Sequence, residues 1–350
     1  MKRFIQILSI VLILAAMVPS DVYAGNPQRA GEAGASFLLL NPWAPGSGWG
    51  GANTARCEGL ESTFLNVAGS AFLQKTELNF THTNLYSGAG ISLNAFGFSQ
   101  KVGEAGVLSM SVVSLDYGEE DITTVNQPEG GIGTFHPQES VIGISFAKEF
   151  SNSIYGGMTV KILNSAISDV AASGVAFDAG IQYVTGNQEQ LRFGIAMKNV
   201  GPTAKFQGDG ISFRGTIPET EVDMTVEQRS AAFELPSLIT IGIAYDVNFT
   251  QDVRLTPALN FTSNAFTKDQ FHFGAEFAYK KILFLRGGYV HEKDIDSSEL
   301  SETLYTGWSY GFSLQVPLNK ETGSFFSIDY SYRTTNPFLG VHSVGARISL

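Results

Sequence analysis

Large apolar and small or polar residues alternate along most of this chain after residue 75. From Tyr305 to Val316, one face carries Thr306, Trp308, Tyr310, Phe312, Leu314 and Val316. The other carries Tyr305, Gly307, Ser309, Gly311, Ser313 and Gln315. A period of two is that of a β-strand with one apolar side. The pattern recurs at Phe271, Phe273, Ala275, Phe277 and Tyr279, at Leu191, Phe193, Ile195 and Met197, and at Phe326, Ile328, Tyr330 and Tyr332. Intervening charged residues such as Arg192, Lys198, Glu276 and Asp329 fall on the Gly/Ser side.

Fourteen such segments are predicted as strands: Lys75–Thr83, Ala89–Gln100, Gly106–Tyr117, Glu139–Phe150, Ser153–Leu163, Ser173–Val184, Gln190–Asn199, Leu238–Asn248, Val253–Thr262, Gln270–Tyr279, Ile282–Val290, Tyr305–Val316, Ser324–Arg333 and Val341–Leu350. Most have the length a tilted strand needs to cross the hydrocarbon of a membrane. Their connections alternate between short and long, apart from a brief first loop near Asn84–Gly88. Lys101–Ala105, Ser151–Asn152, Thr185–Glu189, Phe249–Asp252, Lys280–Lys281 and Pro317–Gly323 are short. Gly118–Gln138, Asn164–Ala172, Val200–Ser237 and His291–Leu304 are long. A soluble β-sandwich shares the strand pattern but gives no reason for this asymmetry. A membrane barrel does, with short periplasmic turns, longer extracellular loops, and both termini on the periplasmic side when the strand count is even.

The first residues and the composition agree. Lys2 and Arg3 precede an apolar run, Phe4–Val18, that ends in small residues at Val22 and Ala24. The run is short of the roughly 20 residues of a spanning helix, so residues 1–24 read as a cleaved signal peptide. Removing Lys2, Arg3 and Asp21 takes the net charge from −11 to −12. Only 16% of residues are charged, against roughly 25% in soluble domains. The reading is an all-β chain: a transmembrane antiparallel β-barrel over residues 75–350 in an outer membrane, preceded by an N-terminal plug or periplasmic segment at 25–74. That segment lacks alternation and is punctuated by Asn41-Pro42-Trp43, Ala44-Pro45-Gly46 and Gly48-Trp49-Gly50-Gly51.

Little in the sequence is catalytic. Five scattered histidines show no metal-ligand spacing, and no nucleophile stands out. Asp294-Ile295-Asp296-Ser297-Ser298-Glu299 offers oxygen ligands without the glycine turn of a calcium loop, and reads as a solvated acidic loop. Neither an enzyme nor a cofactor or metal is expected. The acidic balance argues against nucleic acid as partner. Lone Cys57 cannot form an internal disulfide. The long connection Val200–Ser237 is the candidate for partner contact through Phe206, Ile211, Phe213, Ile217 and Phe233. Trp43 and Trp49 of the N-terminal segment join that set.

Three N-terminal stretches resemble the opening of the PorV/PorQ family: Ala30-Gly31-Glu32-Ala33-Gly34-Ala35-Ser36-Phe37-Leu38, Trp49-Gly50-Gly51-Ala52-Asn53-Thr54-Ala55 and Ser62–Phe72. They are followed by Lys75-Thr76-Glu77-Leu78 at the first strand. Leu339–Gly345 is similar to that family's last strand. Val67 stands where the family has Pro, Trp49 where it commonly has Met, and the chain ends in Leu350 instead of an aromatic residue. The resemblance implies a FadL-like barrel of type IX secretion. It further implies association with the translocon barrel and accessory proteins, and transfer of secreted cargo by its C-terminal signal domain to an attachment complex. The alternative is a FadL-like channel for a small hydrophobic substrate.

Overall fold

The structure is a computed structural model that describes residues 25–216, 222–297, 299–319 and 322–350. The expected signal peptide, and Ile217 of the long connection, lie outside the described residues. Among those described, no helix is long and apolar enough to cross a membrane.

Fourteen strands form the wall: β1 Thr76–Leu85, β2 Ile91–Val102, β3 Gly106–Asp116, β4 Gln138–Ser151, β5 Ile154–Ile167, β6 Val170–Thr185, β7 Leu191–Val200, β8 Leu238–Tyr245, β9 Val253–Asn264, β10 Gln270–Tyr279, β11 Leu283–Glu292, β12 Tyr305–Asn319, β13 Ser324–Thr335 and β14 Val341–Ser349. Each pairs antiparallel with its neighbours in sequence. β14 pairs with β1 through Val344↔His82 and Ala346↔Phe80, which closes the ring. Every strand expected from the alternation is found in its place. Closure leaves no unpaired edge, the condition for a sheet to sit in lipid.

The two faces also fall as the pattern requires. Phe80, Phe96, Met110, Ile144, Ile195, Ile241, Trp308 and Leu314 point outward and are exposed, whereas Thr81, Ser99, Ser145, Gln182, Thr256, Asn260 and Asp329 point inward and are buried. One connection differs from expectation. Asn164–Ala172 is not a long loop: β5 and β6 run on to Ile167 and Val170, joined by a tight turn in which Ser168 adopts φ 49°. The polar residues after Leu163 suggested a loop. They belong to strands that outlast the apolar belt, so the hairpin stands above it.

Residues 41–73 lie inside the ring as turns, 3-10 helices and two short α-helices (Ala44–Gly48 and Ser62–Leu65), with Trp43, Ala44, Ala52, Ala55, Leu60 and Ala68 at 1% exposure or less. Period-2 alternation is absent here because the surroundings are wall on every side. Glycines on the inward face let the two backbones approach. A Cβ on Gly311 (β12) would stand 2.9 Å from the Gly48 Cα, and one on Gly194 (β7) 2.7 Å from the Thr54 carbonyl oxygen. One on Gly288 (β11) would overlap the Trp49 carbonyl, and one on Gly97 (β2) the Leu60 side chain. Wall side chains satisfy the segment's turns. His272 Nδ1–H donates to the Gly50 carbonyl (2.7 Å), and the Asn260 amide donates to the Gly51 carbonyl (2.7 Å) and the Thr54 hydroxyl (2.8 Å). The Leu60 N–H donates to the Glu77 carboxylate (2.9 Å).

Candidate functional site

Three regions could carry function: the two ends of the lumen and the long connection above the wall. At the short-turn end, charged residues on the inward face of successive strands form a ladder. Glu58 of the inner segment accepts from Arg192 of β7 (2.7 Å) and pairs with Arg56 (2.6 Å). Arg56 reaches Asp246, just past β8 (3.2 Å). Arg254 of β9 lies 3.9 Å from Asp246 and donates to Glu276 of β10 (2.6 Å), which also accepts from Arg286 of β11 (2.8 Å). Arg286 then donates to the Ser313 hydroxyl of β12. Such a chain suits a lumen, where each charge finds a counter-charge; facing lipid, each would cost about 2–4 kcal/mol.

The ladder sets the ionisation of the inner segment. Burial pushes the Glu58 carboxyl up, but Arg56 and Arg192 outweigh burial and hold it at about 2. Enclosed by the wall yet 42% exposed to lumen water, Glu58 stays charged over the physiological range. Glu61 differs. Burial raises its carboxyl to about 7 against the opposing pull of Arg347 and Arg286, helped by Asp329 and Glu276. A carboxyl held above its unfolded value binds a proton more tightly when folded, so stability falls as pH rises from about 4.5 to about 7. Glu61→Gln is therefore expected to flatten that slope. It should stabilise the barrel by on the order of 2 kcal/mol at pH 8 and by almost nothing at pH 4, as read from urea midpoints at the two pH values. Burial likewise pushes the Cys57 thiol well up, so it is an inert core group.

At the long-loop end a cavity of about 490 Å³ opens between two unlike walls. Phe37, Leu85, Tyr86, Leu115 and Tyr305 form an apolar side; Lys198, Thr240, Thr262, Gln270, His272 and Glu292 form a polar one. Its cations lie over rings, Lys198 at 3.5 Å from the Phe64 centroid and Arg333 at 3.7 Å from that of Tyr305. The volume is that of a small-molecule site.

The described parts of the long connection Val200–Ser237 are folded. Ala204–Gln207 pairs with the top of β6 (Phe206↔Ala172) and with Ala232–Phe233. The Phe206 and Phe233 rings pack 5.6 Å apart, and Phe233 lies against Gly34 of the N-terminal segment. Glu234 accepts from Arg29 (2.7 Å) and, through its carbonyl, from the Gly34 N–H (3.0 Å). Beyond Ile211, half-buried in a 3-10 turn, a free-standing hairpin pairs Ser212–Thr216 with Asp223–Glu227. Phe213, Met224 and Val226 share one of its faces and are exposed; Arg214, Thr225 and Glu227 occupy the other.

Of the residues singled out from sequence, then, Phe206 and Phe233 touch each other and Phe213 is open to solvent. Trp43 and Trp49 are buried inside the ring, where neither offers a surface to a partner in this conformation. Asp294 of the acidic loop faces Lys268 (3.5 Å), and among the described residues no group of His, Cys, Asp or Glu gathers as a metal site. The ladder is not legible in the sequence because its members are spread from residue 56 to residue 286. The signal in sequence is that Arg192, Arg254, Glu276 and Arg286 share the Gly/Ser face of their strands.

A closed, lipid-belted ring of fourteen antiparallel strands around an inserted segment defines an outer-membrane β-barrel. The chain belongs to the type IX secretion system membrane protein PorP/SprF family, whose profile matches residues 160–345, more than half of its length. Apart from the last strand, the motifs behind the PorV/PorQ resemblance lie before that stretch. In fold the chain is similar to the toluene transporter TbuX of Ralstonia pickettii (TM-score 0.54, 14% identity, covering 88% of this chain and 97% of that one). It is also similar to a FadL homologue of Pseudomonas aeruginosa (TM-score 0.53, 11% identity, covering 87% and 98%). At such identities the likeness is one of architecture. No curated protein sequence matches the chain.

Proposed function

We propose that this barrel is a non-enzymatic component of the type IX secretion machinery that docks to the translocon and hands on cargo proteins by their C-terminal signal domains. Family membership supports the setting. The observation that carries the mode of action is the inner segment: with residues 41–73 built into glycine-lined contacts across the lumen, work through outer surfaces and loops fits better than passage of a protein through the bore. In this reading the short-turn end and both termini face the periplasm, residues 25–74 act as a plug, and the Ser212–Glu227 hairpin presents Phe213, Met224 and Val226 to cargo or translocon. The N-terminal motifs favour a PorV/PorQ-like role within this setting.

Replacing Phe213 and Met224 together by Ser is expected to leave barrel stability within about 0.5 kcal/mol. It should lower recovery of the translocon barrel and of secreted cargo in pull-downs of the native protein by at least about tenfold. Undiminished recovery would remove the hairpin from the proposal, and a wild-type pull-down containing neither partner would remove the function.

The 490 Å³ cavity favours a second reading, a binding site or channel for a small, partly apolar molecule. It predicts liposome uptake of labelled fatty acid or toluene that rises when residues 25–60 are deleted.

A further inference from the structure

The cavity at the long-loop end holds a cation that no described residue neutralises. Lys198 stands on the inward face of β7, 6% exposed, and its side chain lines the cavity. Its ammonium lies 3.5 Å from the centre of the Phe64 ring, and it makes no hydrogen bond or ion pair among the described residues. The carboxylates of this region are engaged elsewhere. Asp178, on the neighbouring β6, pairs with Lys161 (2.5 Å) and accepts from the Asn199 N–H (2.8 Å). Glu292 lies on β11, with β8, β9 and β10 between it and Lys198, and accepts from the Gln270 amide (2.7 Å). Glu302, in the loop that follows, faces Lys268 (3.8 Å). Arg333, the second cation of the lining, lies over Tyr305 and is also without an ion pair, but it is only half-buried.

A buried ammonium is costly without an anion, and the face of a ring replaces water only in part. We infer that the cavity takes an amphiphile with one anionic head, carboxylate or phosphate, anchored by Lys198. This rests on the second reading above, that the cavity binds a small molecule, and adds the chemistry that selects it. The head meets the ammonium and, diagonally across from it on the inward face of β8, the Thr240 hydroxyl, which is linked to that of Thr262 (3.0 Å). The body meets the apolar side formed by Phe37, Leu85, Tyr86, Leu115 and Tyr305. A neutral hydrocarbon would fill that side and leave Lys198 unpaired. A small inorganic anion would meet Lys198 and leave the apolar side wet. A molecule with both parts uses both walls. Phe64 belongs to the inner segment, so wall and segment share the site.

Octanoate, octyl phosphate, octanol and acetate are titrated calorimetrically into the intact barrel in nanodiscs, with empty nanodiscs as the blank. Octanoate or octyl phosphate, according to which head the site fits, should bind at least about tenfold more tightly than octanol or acetate. Lys198→Met, close to lysine in length, should lower that affinity at least about tenfold and leave octanol within about twofold. It should also raise the urea midpoint of the ligand-free barrel, because an unpaired charge leaves the interior. Lys198→Gln supplies a second neutral side chain for both measurements. Octanol binding as tightly as the anions, or anion affinity unchanged in both variants, would overturn the anionic head and leave the cavity a small-molecule site. Acetate binding as tightly as octanoate would overturn the apolar body. No binding by any of these probes would overturn the second reading and this inference with it.

Discussion

Leucine in place of Gly288 is expected to abolish assembly of the folded barrel, whereas leucine at the adjacent Gly287 is expected to be harmless. The two glycines are neighbours on β11 but point to opposite faces. A Cβ on Gly288 would meet the carbonyl of Trp49 and, at 2.8 Å, the backbone nitrogen of Gly50, while one on Gly287 would meet nothing within 4 Å. The obstruction at Gly288 is backbone, which cannot rotate away as a side chain would. Relief requires the inner segment to leave β11 and give up the hydrogen bond between His272 and the Gly50 carbonyl. Overpacking of a core ordinarily costs about 1–3 kcal/mol. A bulky side chain driven into a fixed backbone belongs to the rarer class above about 4 kcal/mol, a large share of a typical folding free energy. The gel mobility of unboiled barrel and the urea midpoint measure both variants. Similar behaviour of the two would mean that the segment does not occupy the lumen as described. Because the contact is with main chain, Trp49→Ala should not rescue Gly288→Leu.

That prediction marks the boundary between what the sequence discloses and what it withholds. Period-2 alternation places Gly288 on the inward face and Gly287 on the lipid face, since those two environments are opposite in chemistry and strand geometry forces successive residues between them. It says nothing of what lies beyond the inward face. The Gly/Ser side of β11 or β12 reads equally well as the lining of an open pore and as a socket for packed backbone. Only the position of Trp49 against Gly288, and of Gly48 against Gly311, decides between them. Trp43 and Trp49 stand out in the sequence for a related reason: aromatic residues in a turn-rich stretch without alternation resemble a recognition surface, and nothing in the sequence indicates the wall that buries them. The Asn164–Ala172 connection was misread in the opposite sense, because polar residues can continue a strand once it has risen out of the apolar belt. The hairpin between Ser212 and Glu227 was visible only as a mixture of apolar and charged residues, since its register depends on cross-strand pairs such as Phe213↔Val226.

Neutralising Glu276 by Glu276→Gln is expected to be the most damaging single change in the charge ladder, at about 3–5 kcal/mol. Its carboxylate accepts from Arg254 at 2.6 Å and from Arg286 at 2.8 Å, and it is buried on the inward face of β10. Without that charge, Arg286 keeps the Ser313 hydroxyl but no carboxylate ion pair among the described residues, and Arg254 keeps Asp246 at 3.9 Å, which already serves Arg56. Glutamine still offers an oxygen, so the loss measures missing charge and not missing volume. The converse change, Arg286→Met, leaves Glu276 paired with Arg254 and should cost less. The double variant Glu276→Gln/Arg286→Met should be more stable than Glu276→Gln alone, because removing the stranded guanidinium removes the larger penalty. Urea midpoints of the three variants in one lipid composition give the coupling directly. Additive losses would show that water in the lumen solvates each charge independently. A positive coupling would show that the ladder holds β9, β10 and β11 in register around the inner segment and that its links act together.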